Sequence, residues 1–312
     1  MTENITEFLG NRKNVITNID PDGIFSYALL KKCFNCDLVG FTNSKEYVYL
    51  FEGKDYAKQN VTYVDMFVKN KDIFSIDQHI VSYTEKDNKV LQEYGTKLNP
   101  NVWNERSFTN YRIKYPFSTF IYLGTLLDKE GYDIDIDWNK KITDDITLGH
   151  ILLRIDGVLT NLVDYGDNCN RWLEWSKQQS NGGKFIDNLT RFLKESIYVL
   201  DIRKKANDVE NFFKDCFKAE TKDGGFKSLT KDNFSNIFDF FRFSFDCFNI
   251  NDKSALDGIK NVSVYKGERY LKTPPTEGIL DADIFSYAIV NMKENNFSFT
   301  KNIRKDGVLL FS

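Results

Sequence analysis

Val15-Ile16-Thr17-Asn18-Ile19-Asp20-Pro21-Asp22-Gly23 is the stretch that decides the fold. A short apolar run ends on two aspartates one residue apart. Val15–Ile19 reads as a buried strand, Gly23 breaks it, and Ile24, Ala28, Leu29 and Leu30 open a helical pattern running to about Cys36. Strand, tight turn and helix in that order open an α/β unit, whose ligands sit in the crevice beyond the strand ends. Two carboxylates held that close repel each other unless a cation lies between them. The stretch therefore points to a divalent metal site, and such sites commonly serve phosphoryl chemistry. Asp20-Pro21-Asp22-Gly23 also has the composition of a plain turn, so its neighbours must decide.

Working outward, Leu38–Phe41 is a second short strand, Val61–Val64 a third ending at Asp65, and Ile73–Ile76 a fourth ending at Asp77. Three of these four strands end on an aspartate, which gathers carboxylates at one edge of a sheet. Strands separated by helices or long connections predict an α/β fold with a doubly wound, mainly parallel sheet. Residues 85–114 are polar and carry no clear period. Pro116 followed by Ser118 or Thr119 marks a helix start, continued by Phe120, Leu123, Leu126 and Leu127. A further helix is expected over about 142–162, with Ile146, Ile151, Leu152 and Ile155 on one face; 166–170 and 180–183 are linker candidates. Helical patterns run from Phe185 to Phe217, and 221–225 is a second break.

From Phe234 to Phe248 the phenylalanines fit two periods. Phe234, Phe238, Phe241 and Phe245 have helical spacing, whereas Phe241, Phe243, Phe245 and Cys247 alternate as in a strand; both readings stay open. Val262–Tyr265 and Ile284–Met292 read as strands, with Thr273-Pro274-Pro275 as a loop. The expected organisation is a metal-binding α/β domain over 1–175, a helical linker region over 176–225 and a smaller α+β C-terminal domain over 226–312.

The bulk properties narrow the class. With 312 residues, 41% hydrophobic and 28% charged, the chain reads as a soluble globular protein with room for two domains. No apolar run is long enough to span a bilayer, and the polar start lacks a signal-peptide pattern, so a cytoplasmic location without a membrane partner is expected. Five cysteines do not make a disulfide framework. Cys33 and Cys36 have redox or zinc spacing, but no second pair completes a zinc site, and they are expected to be buried thiols. A net charge of −3 gives weak long-range attraction to nucleic acid. Short oligonucleotides, cyclic dinucleotides and other small phosphoesters need only a local basic patch and remain the expected partners.

Taken in order, the strand-end motifs resemble those of the DHH phosphoesterases. That superfamily includes RecJ-type nucleases, nanoRNases, cyclic di-AMP phosphodiesterases and family II pyrophosphatases. Asn18-Ile19-Asp20-Pro21-Asp22-Gly23-Ile24-Phe25-Ser26 is similar to the opening motif His-x-Asp-x-Asp-Gly-x-x-Ser. Tyr63-Val64-Asp65 looks like the second motif, and Asp77-Gln78-His79 stands where the family has Asp-His-His. Arg154-Ile155-Asp156-Gly157 offers the aspartate of the fourth motif, with Asn161 and Asp164 as alternatives. The resemblance covers roughly residues 12–170.

The resemblance implies one or two Mn²⁺ or Mg²⁺ ions held by Asp20, Asp22, Asp65, Asp156 and, more weakly, Gln78, with Asp65 as the bridging ligand. It implies hydrolysis of a phosphodiester by metal-activated water, with Asp20, Asp22, Asp65 and His79 as catalytic residues. His79 would bind the phosphate or relay a proton, and Asn18, Arg154 and Arg304 would contact substrate. Two departures stand out: Asn18 replaces a histidine, and Gln78 replaces the first histidine of Asp-His-His. No glycine-rich substrate loop follows Arg304 before Ser312. These departures favour an alternative, a catalytically degenerate relative that binds a nucleotide or a partner. Asp20-x-Asp22 also resembles the first motif of haloacid-dehalogenase phosphatases, where the first aspartate is a nucleophile. That family expects threonine where this chain has Ile24, and Asp144-Asp145 would have to supply its paired carboxylates.

Overall fold

The run of Val and Ile in the first strand is buried on both faces, as a central strand of a sheet requires. The computed structural model describes residues 4–134, 136–198, 200–222, 224–252, 256, 261–272, 284–290 and 297–310. Helix α1 (Ile5–Leu9) leads into β1 (Asn14–Asn18), α2 (Pro21–Phe34), β2 (Asp37–Thr42), β3 (Tyr47–Phe51), β4 (Val61–Val64) and β5 (Phe74–Ile76). There follow α3 (Glu85–Tyr94), β6 (Lys97–Leu98), α4 (Pro100–Trp103), α5 (Thr119–Lys129), α6 (Leu148–Arg154) and α7 (Val158–Asp164). Next come α8 (Gly166–Ser180), α9 (Lys184–Phe192), α10 (Ile202–Phe217) and α11 (Phe234–Cys247). The last elements are β7 (Val262–Lys272), β8 (Ile284–Ile289), β9 (Phe297–Lys305) and β10 (Val308–Leu309). Among the described residues no helix is long and apolar enough to cross a membrane.

The chain divides into two units. The first comprises Met1–Ile19, Phe34–Tyr115 and Ser254–Ser312, and the second Asp20–Cys33 and Pro116–Lys253. The first unit holds the sheet, in the order β10-β9-β7-β3-β2-β1-β4-β5-β6, with β8 also paired to β9. The fold is α/β, but the sheet is mixed, which corrects the expectation of a mainly parallel one. Strands β2, β1, β4, β5 and β6 are parallel neighbours; β3, β7, β9, β8 and β10 add antiparallel. The reason lies in residues 43–46. A turn that short cannot carry a crossover, so β3 must return antiparallel to β2. The Asn43 side chain fixes the turn by accepting the N–H groups of Lys45, Glu46 and Tyr47 at 3.0–3.1 Å.

The C-terminal strands join this same sheet rather than building a separate one. The sheet then curls back on itself, because β8 also bridges to the segments that follow β4 and β5, through Val68↔Ser286 and Ile80↔Ile289. Lys69 N donates to Phe285 O and Ile289 N to Ile80 O, both at 2.8 Å. Two apolar clusters fill the curl. One joins Phe67, Ile80 and Leu91 to Tyr287, Phe297 and Phe299, and the other joins Ile16, Val48, Val61 and Tyr63 to Ile303 and Leu310.

The second unit is helical. Phe25 of α2 packs edge-on against Phe120, Phe240 and Phe248, and Phe217 stacks on Phe240 at 4.4 Å. The segment with two possible periods is helix α11; its 14 residues exceed the usual length of a strand. Its buried positions include Ile237, Phe238, Phe241 and Phe245. The helix expected over 142–162 is broken in two, because Asp156 (φ 49°) and Gly157 (φ 70°) adopt left-handed backbone between α6 and α7. The linker candidate 166–170 forms the first turn of α8, whereas of 180–183 Ser180 ends α8 and residues 181–183 connect it to α9. Thr273-Pro274-Pro275 lies outside the described residues.

Candidate metal centre

Because β4 and β5 are parallel neighbours, the residues that follow them emerge at one edge of the sheet. Asp65 follows β4 and Asp77 follows β5. The ladder continues one residue past each strand: Asp65 N donates to Ile76 O at 2.8 Å and Asp77 N to Leu98 O at 3.0 Å. Two residues on stands His79. Asp65, Asp77 and His79 each present one ligand atom, and these atoms lie within 4.8 Å of one another. This group can hold a metal ion. Both aspartates are buried, while the His79 side chain is 32% exposed, so the group is open on the histidine side. Burying carboxylates without counter-charge costs several kcal/mol per ion, which a cation would offset.

Asp65 has left-handed backbone, φ 57°. Such a conformation costs roughly 1–3 kcal/mol for a non-glycine residue and persists only where the surroundings impose it. Here they do. Asn18 Nδ2 donates to Asp65 Oδ2 at 2.9 Å, and Ser44 Oγ donates to the Asp65 carbonyl at 3.0 Å. Asp77 is held differently. Its Oδ1 accepts from His79 Nδ1 at 2.6 Å, and its Oδ2 accepts from His79 N at 3.1 Å and Asn99 Nδ2 at 3.2 Å. A proton on Nδ1 makes Nε2 the ring nitrogen that can ligate a cation or exchange a proton. Gln78 lies between the two, buried, with its carbonyl accepting from Asn101 Nδ2.

The other expected site residues divide by unit. Arg304 belongs to the first unit, exposed on β9 opposite Lys266. Asp20, Asp22, Asp156 and Arg154 belong to the second. Asp20 starts α2 as an N-cap does, its Oδ1 accepting from Gly23 N at 3.0 Å. Asp22 closes the N-terminus of α5: Oδ2 accepts from Thr119 N and Oδ1 from Phe120 N, both at 2.8 Å. Burial, then the negative charges of Asp156 and Asp20, push the Asp22 carboxyl up to about 8 despite those two bonds. Arg154 is buried; its Nη2 donates to Lys222 O at 2.9 Å and stands 3.6 Å from Glu210. Asn161 donates to Pro116 O at 2.7 Å, and Asp164 forms an exposed ion pair with Arg203 at 2.8 Å.

His150 accepts from Thr147 N at 3.0 Å and packs on Phe192; burial lowers it to about 4 and keeps it neutral. Burial raises the Cys33 thiol to about 11, which leaves it a packing residue.

Four residues of this centre were not singled out from the sequence as site residues: Asp77 as a ligand, and Ser44, Asn99 and Asn101 as its supports. The signal for Asp77 was present, since it ends a strand as Asp65 does. No family model matches the chain, and no curated protein or solved structure matches it significantly.

Proposed function

We propose that this chain is a metal-dependent phosphoesterase of the DHH type its motifs resemble, acting on a phosphodiester in a short or cyclic nucleotide. The observation that carries the reading is the Asp65–Asp77–His79 group at the ends of two adjacent parallel strands. Two carboxylate oxygens and one imidazole nitrogen suit Mn²⁺, with Mg²⁺ favoured by the oxygens alone. A divalent cation bound there supplies Lewis acidity toward water and a phosphoryl oxygen. Asp65 and His79 Nε2 hold the ion in this reading, and Asp77 either joins them or orients the ring. Asn18 steadies the Asp65 carboxylate, and His79 is the residue able to take or give a proton. In the second unit the reading assigns Asp20, Asp22 and Asp156 to a further cation, because their mutual repulsion is what such an ion relieves.

The test is hydrolysis of a mixed panel with Mn²⁺, Mg²⁺ or EDTA. The panel holds dinucleotides, short single-stranded DNA and RNA, cyclic dinucleotides, 3′-phosphoadenosine phosphate and pyrophosphate. Mn²⁺-dependent cleavage that disappears in Asp65→Asn is the expected result. Cleavage that survives in EDTA or in Asp65→Asn removes the reading. Gln78→His is expected to tighten Mn²⁺ binding by restoring an imidazole beside Asp77; no gain means that position 78 does not face the ion.

One observation favours a second reading, a nucleotide-binding relative without turnover. Asn18 meets Asp65 with an N–H donor at the position where the family has a histidine. Nucleotide binding with no cleavage of any panel member is the outcome that selects it.

A further inference from the structure

We infer that Asn99 is a positioning residue for this centre, locking Asp77 and His79 into one rigid pair; only the Mn²⁺ readout below rests on the metal reading. Asn99 directly follows β6, the strand next to β5, and is 1% exposed. Its side chain uses both ends. Nδ2 donates to Asp77 Oδ2 at 3.2 Å and to the His79 carbonyl at 2.9 Å. Oδ1 accepts from Asn101 N at 2.8 Å and Val102 N at 3.2 Å, capping α4, whose first residue is Pro100. Asn101, fully buried, holds the middle of the same segment by donating to the Gln78 carbonyl, and is itself anchored by Tyr115 N at 2.7 Å.

Capping a helix requires only a side-chain oxygen, which serine or aspartate supplies as well. The amide nitrogen is what asparagine adds, and it is spent on Asp77 and His79. With His79 Nδ1 on one oxygen, and Asn99 Nδ2 together with the His79 backbone N–H on the other, the Asp77 carboxylate is held against rotation, and Asn99 supplies the only one of these three donors that does not come from His79 itself. Its Oδ1 therefore stays on Nδ1, and Nε2 keeps one direction. Partners of this kind behind a metal-binding imidazole fix its tautomer and orientation.

Asn99→Ser and Asn99→Ala separate the two roles, since serine keeps the cap and both lose the amide donor. Mn²⁺ binding, followed by electron paramagnetic resonance, is expected to weaken 10–100-fold in both variants alike. The melting temperature should fall further in Asn99→Ala than in Asn99→Ser. A second readout needs no metal. The chain has two histidines, so selective ¹⁵N-histidine labelling with His79→Gln as the reference assigns the ring signals. The hydrogen-bonded Nδ1 proton of His79 should be visible in the natural chain and lost in Asn99→Ser. Retention of that signal together with natural Mn²⁺ affinity in Asn99→Ser overturns the inference. If the natural chain binds no Mn²⁺, the metal reading falls, and loss or retention of the Nδ1 signal alone decides for or against Asn99.

Discussion

Asp77 has one carboxylate and three donors around it, so its geometry is set before any ligand arrives. Asp77→Asn replaces one acceptor oxygen with a donor and breaks either the His79 or the Asn99 contact. Mn²⁺ affinity should fall by about 10–100-fold in a titration, and unchanged affinity would take Asp77 out of the centre. Asp22 makes a different prediction. Its carboxyl lies at about 8 in the folded chain against an ordinary value of 3.8. The folded state therefore keeps a proton that the unfolded state has lost, and this contribution to stability is complete below about pH 4 and disappears as pH rises through about 8. Asp22→Asn should flatten the pH dependence of the denaturation midpoint across that window; an unaltered slope means another group titrates there. Asp65 and His79 were legible because a strand-end carboxylate and a histidine beside another announce themselves in one dimension. Asn99 and Asn101 were not. They reach residues 77–79 only through the pairing of β5 with β6, and no local period marks a two-residue strand.

At the scale of elements, helix α5 shows how small residues set the packing distance. A Cβ on Gly124 would sit 2.2 Å from Phe185 Cε1, and that ring is confined by Phe120 and Trp138 at centroid distances of 5.8 and 5.6 Å. Gly124→Ala should cost about 1–3 kcal/mol by overpacking, measured by urea unfolding. A cost near zero would show that α9 can shift away. The N-terminus of α5 was readable, since Ser118 Oγ accepts from Ile121 N as an N-cap should. Strands β1, β2, β4 and β5 were readable from continuous apolar runs. Strand β3 and helix α3 were not. Tyr47–Phe51 is set off from β2 by the polar residues 43–46, and its composition does not say that it returns antiparallel to β2 and pairs with β7, while Glu85–Tyr94 buries only Asn88 and Leu91. The break at Asp156 also hid from the pattern, because the apolar period of the sequence continues across it.

At the scale of the whole molecule, the first unit is assembled from three separate stretches of chain. Its apolar clusters are completed by Tyr287, Phe297, Phe299 and Ile303, residues that the first half of the chain cannot supply. Each large side chain of this kind is worth roughly 1.5–3 kcal/mol when buried, against a typical total stability of about 5–15 kcal/mol. A chain ending at residue 253 keeps every residue of the second unit, so the loss should be confined to the first: the chain should bind the dye ANS, and the amides of β1, β4 and β5 should lose their protection from hydrogen exchange. Protection of those amides equal to that of the full chain would show that the parallel strands suffice. The parallel half of the sheet was foreseeable from its strands, but the return of the last strands was not, since nothing local in Ile284–Ile289 names Val68 and Ile80 as neighbours. That return has a kinetic corollary. The Lys69 and Ile289 amides are tied into it, and they trade hydrogen for deuterium only when β8 peels away from the segments bearing the aspartates. An ion gripped by Asp65 and Asp77 that is lost on peeling slows that exchange by its own binding free energy. Occupancy of the centre then becomes a clock that can be read from two backbone amides, one of them near the far end of the chain.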